Sequence, residues 1–384
     1  MAGAQPETAE NAETMRMKNF FWSFLFCLLL AAPAIYSAEH AVKRGLFVSV
    51  IQEPSTLSSR EEILKLIEFS KKARVDTLFV QIYRANKAWF PSKVGDSGPY
   101  KAGLKSVGED PFQLLIREAR AAGIQVHAWL NLLSLSANTD APLLKKYGTV
   151  ILTRKPGGEK KTLEDYKIDN QYFLEPGDSR VRMELSTLVE EILLRYPALD
   201  GLQLDYIRYP DSHPFYGYTG MNIVRFRHDK GSRQSLSENN PAWKDWRRGQ
   251  VTEMVELHAG TARAIRPAIQ VSTTGCAPYS RAYHEAFQDW GSWLDRGLVD
   301  FVTMMDYPTD VPEFENTIAG ARKKTRDFGK VNIGIGAYKL TQAPGVFTGQ
   351  LESCEKAGGR GCVVFHYGSL LENPALKDPL LTQK

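Results

Sequence analysis

From residue 45 the chain repeats one pattern eight times: a short apolar run, then a longer stretch with helical spacing. The runs are GLFVSVI (45–51), DTLFVQIY (76–83), IQVHAWLN (124–131), GLQLDYI (201–207), IQVSTTG (269–275), VDFVTMM (299–305), VNIGIGA (331–337) and GCVVFHY (361–367). Between them, Ser58 or Ser59 is placed to cap a helix through Ala73 that carries Ile63, Leu66, Ile67 and Ser70 on one face. Asp110-Pro111 opens a second helix closed by Gly123, and Asp178 opens a third that runs to Tyr196. Regular alternation of strand and helix builds a parallel sheet, because each crossover helix covers the strands it joins.

Eight such units over residues 41–375, with no composition break between them, predict one α/β domain closed as a (β/α)8, or TIM, barrel. No GxGxxG follows the first run and no GxxxxGK[ST] occurs, so the loops that cradle nucleotide phosphates are missing. Long connections after the third and fourth runs would lie at the C-terminal face, where barrels place binding and catalysis.

The region before the barrel reads differently. Arg16 and Lys18 precede an apolar run from Phe20 to Leu30, followed by Ala31-Ala32-Pro33-Ala34. That order predicts a signal peptide with an N-terminal extension over residues 1–38, cleaved after Ala34 or Ala38, with Met15 or Met17 as alternative starts. The apolar run is too short for a comfortable span, so the mature protein is expected to be exported to the periplasm or medium without a stable membrane span. The formal net charge of +4 comes without any run of five or six basic residues, and no nucleic-acid partner is expected. Losing Cys27 with the leader leaves Cys276, Cys354 and Cys362. A Cys354–Cys362 bridge and two buried thiols both fit that count, and no CxxC pair suggests a metal.

Strand side chains alternate between faces. In the second run Leu78, Val80 and Ile82 share one face, and Phe79, Gln81 and Tyr83 the other. In the third, Val126, Ala128 and Leu130 oppose His127, Trp129 and Asn131; in the fourth, Leu202 and Leu204 oppose Gln203 and Asp205. The apolar faces suit the helix layer, which sends the polar faces into the barrel. Polar groups are buried there only against partners, so three adjacent strands repeating the arrangement point to a site, with a structural hydrogen-bond layer as the competing reading.

Asp205 is the sharpest candidate, near the end of its strand beside Gln203, Tyr206, Arg208 and Tyr209. A neighbouring guanidinium would favour its ionised form. Glycosidic-bond hydrolysis commonly uses two carboxyl groups. Asp306 in MMDYPTD is the preferred partner, ahead of Asp310, Glu53 and Asp211, because it should end its strand at the same rim; a loop-capping role competes. His127 and His366 each lack a second ligand at metal spacing, so neither a metal nor a cofactor is expected. Trp129, Tyr307 and Tyr367 near strand ends could stack on sugar rings. Ser272, Thr273 and Thr274 lie in no GxSxG, which disfavours a serine hydrolase.

Seven segments in order carry a family resemblance: KRGLFV, LFVQIYRANKAWFPS, GIQVHAWLN, DGLQLDYIRYP, GLVDFVTMMDYP, IGIGAYK and GCVVFHYGSL. From about Lys43 to Leu370 the chain resembles the bacterial glycosyl-hydrolase-like ten family. The resemblance implies a TIM barrel acting on a glycan, either peptidoglycan strands lacking stem peptides or an N-acetylglucosamine polymer. Asp205 matches the first Asp of the family's fourth-strand motif. Many members follow it with a second Asp where this chain has Tyr206, and the family's strand-two Arg appears here as Tyr83 with Arg84 beside it.

The expectation is therefore a glycoside hydrolase for a cell-envelope or extracellular polysaccharide, with Asp205 and Asp306 catalytic. Gln81, Tyr83, Arg84, His127, Trp129, Asn131, Gln203, Tyr206, Arg208, Tyr307 and Tyr367 would contact substrate. A non-catalytic glycan-binding barrel is the alternative, kept open by the missing second Asp.

Overall fold

The computed structural model describes residues 1, 3, 43–157 and 162–382, so the predicted leader lies almost wholly outside the described residues. Eight parallel strands form the barrel: β1 (Lys43–Val48), β2 (Thr77–Arg84), β3 (Gln125–Asn131), β4 (Gly201–Asp205), β5 (Gln270–Cys276), β6 (Phe301–Asp306), β7 (Val331–Ile335) and β8 (Gly361–Val364). Each pairs with its sequence neighbours, and β1 pairs with both β2 and β8, which closes the ring. A short strand, Lys87–Ala88, adds antiparallel to the end of β2. Outside lie α1 (Arg60–Lys72), α2 (Pro111–Ala121), α3 (Ser179–Arg195), α4 (Pro241–Ile265), α5 (Trp290–Asp295), α6 (Val311–Arg322), α7 (Pro344–Lys356) and α8 (Asp378–Thr382). Among the described residues no helix is long and apolar enough to cross a membrane.

The helix boundaries follow local chemistry. Ser59 Oγ accepts the Glu62 amide at 3.1 Å and opens α1, whose Ile63, Leu66, Ile67 and Ser70 are buried as their spacing predicts. Asp110 Oδ1 accepts the Gln113 amide at 3.0 Å and opens α2. The single helix expected around 283–295 is instead two short ones, Tyr279–His284 and α5, because Asp289 caps a fresh start on the Ser292 amide.

Two sets of buried side chains divide as the strand alternation requires. Leu46, Leu78, Val126 and Leu202 belong to the large layer between strands and helices. Phe47, Phe79, Trp129, Phe301 and Val363 form a separate cluster on the opposite strand faces, inside the barrel. Strand register places Phe47 beside Phe79, Phe79 beside His127, and His127 beside Gly201 in one cross-barrel layer. Gly201 is required there: a Cβ would lie 2.3 Å from the His127 ring, itself flanked by Phe79 and Phe301. Overpacking in a closed core costs about 1–3 kcal/mol or more. Gly201→Ala should therefore lower the thermal midpoint by several degrees, read by circular dichroism, and an unchanged midpoint would contradict this packing.

The two long connections, 132–178 and 206–240, are tied together behind the strand ends. Tyr209 Oη donates to the buried Glu175 Oε1 at 2.6 Å, and the Gly177 amide donates to the same oxygen at 3.1 Å. Burial raises the Glu175 pKa, a cost that these donors offset in part. Cys354 on α7 is disulfide-bonded to Cys362 on β8, and Cys276 is a buried free thiol.

Candidate active site

The C-terminal ends of the strands open into a cleft of about 850 Å³. Asp205, the last residue of β4, lies at its floor and is only 4% exposed. Its Oδ2 accepts the Trp129 indole N–H at 2.8 Å. Its Oδ1 accepts the Tyr206 amide at 2.7 Å and the Thr274 hydroxyl. The Trp129 indole and the Tyr206 amide can only donate, so each oxygen of Asp205 is held as an acceptor by a fixed N–H. Tyr206 then leaves the strand with φ of 55°, a left-handed conformation that a tyrosine adopts at a cost of about 1–3 kcal/mol. The turn puts Tyr206 on the cleft wall, where the Arg208 guanidinium lies 4.8 Å from its ring centroid.

Arg208 forms its ion pair with Asp211 rather than with Asp205. Arg208 Nη1 meets Asp211 Oδ1 at 2.7 Å, and Arg281 Nη2 meets Asp211 Oδ2 at 2.6 Å. Burial pushes the Asp211 carboxyl up, but these two guanidinium groups outweigh it and hold its pKa below the usual value. Asp211 is thus a bridge between the loops after β4 and β5.

Asp306 ends β6 in the same cleft and is 2% exposed. Burial drives its pKa up to about 8; a hydrogen bond with Thr317 opposes the shift and the charge of Glu313 adds to it. Its Oδ2 has no hydrogen-bond partner among the described residues. Asp306 therefore holds a protonated carboxyl at neutral pH with one oxygen unpartnered among the described residues. The rival acid Asp310 is spent on helix capping, accepting the Glu313 amide at 2.8 Å. Glu53 does not line the cleft.

Tyr307, Phe365 and Tyr338 form an aromatic wall. Tyr307 stacks on Phe365 with centroids 5.5 Å apart, and Tyr338 stands edge-on to Tyr307 at 5.9 Å. Burial, followed by the charge of Asp205, raises the Tyr307 phenol far above its ordinary range, so it stays a neutral donor. Its hydroxyl is unpartnered among the described residues.

Of the residues expected at the site, Asp205, Asp306, Arg84, Trp129, Asn131, Tyr206, Arg208 and Tyr307 line the cleft. Five do not. Tyr83 is turned outward by a register shift between Gln81 and Tyr83, and its hydroxyl bonds Asn86 at 2.9 Å in the outer layer. Tyr367 follows a strand that already ends at Val364 and packs on Phe69 of α1, leaving the cleft to Phe365 and His366. His127 lies one strand repeat below Trp129 in the aromatic core, and burial drives its pKa down to about 3, so it is a neutral packing residue. Gln203 bonds Ser272 beneath the floor. Gln81 also lies beneath it and donates to Asn131 Oδ1 at 3.0 Å while accepting from Ser49 at 3.1 Å, so it orients a cleft residue rather than lining the cleft.

Sequence reading did not single out Tyr338, Phe365, Glu313, Thr317 or Lys339. Tyr338, Lys339 and Phe365 sit just beyond the ends of β7 and β8, where a residue closely following a barrel strand was the available signal; Glu313 and Thr317 arrive from α6, which no strand count reaches. Among the described residues no group of acids, His and Cys is arranged to hold a metal.

A glycosyl hydrolase-like 10 family model matches residues 44–344, most of the chain. The chain belongs to the glycosyl hydrolase-like 10 family. Two relatives extend the match at low identity. Glycosyl hydrolase DigH of Escherichia coli (strain K12) is 24% identical over 267 residues, covering 65% of this chain and 58% of that protein. Glycosyl hydrolase YngK of Bacillus subtilis (strain 168) is 24% identical over 296 residues, covering 71% of this chain and 52% of that protein. The chain thus spans little more than half the length of these relatives. In three dimensions this glycosyl hydrolase-like barrel is similar to α-L-fucosidase isoenzyme 2 from Paenibacillus thiaminolyticus, with a TM-score of 0.61 at 14% identity, over 88% of this chain and 48% of that one. It is also similar to the catalytic domain of β-amylase from Paenibacillus polymyxa, with a TM-score of 0.55 at 13% identity, over 89% and 98% of the two chains. At those identities the likeness shows a shared barrel fold and says nothing of substrate.

Proposed function

We propose that the cleft hydrolyses glycosidic bonds in a cell-envelope or extracellular polysaccharide, with Asp205 and Asp306 as its two carboxyl groups. The observation that carries this reading is their contrast in one cleft. Asp205 is held by Trp129, Tyr206 and Thr274, whereas Asp306 is held protonated by burial. Pairs of acids whose surroundings push their protonation states apart supply the acid and base roles. Asp306 hands its proton to the leaving-group oxygen. Asp205 assists on the other side of the sugar, stabilising positive charge at the anomeric carbon or directing the attacking group. Tyr338 and Tyr307 line the cleft and offer aromatic surface to a pyranose.

The family membership and the names of the relatives support the hydrolytic reading. Peptide-free peptidoglycan strands and N-acetylglucosamine polymers are the proposed substrates. The Cys354–Cys362 bridge supports export, since cytosolic thiols are kept reduced. Incubating the protein with each polymer and analysing the products by mass spectrometry tests this. Released oligosaccharides are expected. Retained binding without any release would replace hydrolysis by a glycan-binding role, the outcome that Tyr206 in place of a second Asp favours.

A further inference from the structure

The register shift at the end of β2 has a second effect. Gln81 pairs with Trp129 on the inner face, but Tyr83 pairs with Leu130 on the outer face. An inserted residue of this kind re-aims the side chains that follow it. Arg84 consequently lines the cleft next to Asn131, Asp205 and Tyr206.

The cations at the mouth are not equivalent. Arg208 and Arg281 both pair with Asp211 and share its single negative charge. Asp205 is held by Trp129, Tyr206 and Thr274, none of them a cation. No carboxylate among the described residues pairs with Arg84, although it is only partly exposed. Lys339, on the opposite wall, spends its ammonium on the Tyr307 carbonyl at 2.9 Å rather than on an acid. A cleft-lining guanidinium with no carboxylate partner is free to receive an incoming anion. Its planar fork matches a carboxylate with two parallel hydrogen bonds.

Building on the glycan-cleft reading, we infer that Arg84 is a specificity residue that binds a carboxylate carried by the sugar beside Asp205, so that the preferred substrate is an acidic glycan. Such an acid can sit on an ether substituent of the ring, as in peptide-free peptidoglycan strands, or at the sixth carbon, as in a polyuronate. Poly-N-acetylglucosamine carries neither.

The test measures both affinity and cleavage. Wild type and Arg84→Gln are titrated with peptide-free peptidoglycan strands, with the same strands after conversion of their carboxylates to carboxamides, and with a polyuronate. A charge-assisted bidentate contact is worth about 10- to 100-fold. Wild type should bind the untreated strands by about that factor more tightly than the amidated ones, with a preference that weakens as salt rises. In Arg84→Gln the ratio should collapse toward one, and Arg84→Lys should restore part of it. Tight polyuronate binding that also depends on Arg84 would assign the sixth-carbon acid instead of the ether-borne one. Equal affinity of wild type for acidic and amidated strands would overturn the assignment, as would a preference that survives Arg84→Gln. Because binding is read separately, an acid preference without cleavage would sustain Arg84's role while refuting hydrolysis.

Discussion

Asp205→Asn should reduce turnover on a glycan substrate by on the order of 10³-fold or more, while leaving a folded barrel. The amide cannot ionise, so the charge and proton-accepting capacity next to the anomeric carbon are lost. The substitution is nevertheless not structurally silent. The Trp129 indole and the Tyr206 amide are fixed donors aimed at different oxygens of Asp205. An asparagine has one oxygen and one NH2, so one of these donors must face another donor. Thr274 can rotate its hydroxyl to adapt, but the indole and the backbone amide cannot. The expected loss of stability is about 1–3 kcal/mol, a few degrees in the melting transition and well short of unfolding. Reducing-end release measured beside the circular dichroism spectrum separates the two effects. A folded Asp205→Asn protein with wild-type turnover would remove Asp205 from the chemistry.

The barrel itself was legible because eight apolar runs separated by helix-length segments leave few other ways to bury both sheet faces. The inner faces of β3 and β4 were legible for the same local reason: side chains alternate, and these strands are regular. Alternation says nothing about height, however. His127 and Trp129 share a face, yet one is sealed among Phe79 and Phe301 while the other bonds the candidate carboxylate. Nor does alternation survive a register shift, which is set by pairing with β3 and is invisible within DTLFVQIYR; that is why Tyr83 was misplaced. Asp306 could be placed at the rim by counting along its strand. Its elevated pKa depends on burial and on Glu313, which arrives from α6. Tyr338 and Phe365 meet Tyr307 only because β6, β7 and β8 are adjacent in the closed sheet.

Asp306 makes a prediction of opposite sign for activity and stability. With a pKa near 8, roughly nine-tenths of the protein carries the proton at pH 7, ready for a leaving group. Activity should hold through neutral pH and fall as the pH passes about 8, because the lost species is the acid itself. The folded state binds this proton more tightly than an unfolded chain whose Asp titrates near 3.8. The resulting stabilisation is fully present below pH 3.8 and declines as the pH rises through about 8, where the buried group ionises. Asp306→Asn has no proton to lose. It should therefore melt at a higher temperature than wild type at pH 8–9, with the gap closing toward pH 5, although turnover below pH 8 falls by about 10²- to 10⁴-fold, a deficit that shrinks as wild type loses its own proton. Melting curves and initial rates across that range test both halves. If Asp306 only tied down a loop, Asp306→Asn would keep nearly full activity. A wild-type rate still climbing above pH 9 would be incompatible with Asp306 as the acid. Loss of turnover in Asp205→Asn with activity preserved in Asp306→Asn would direct attention to the substrate's own N-acetyl group as the second reacting partner.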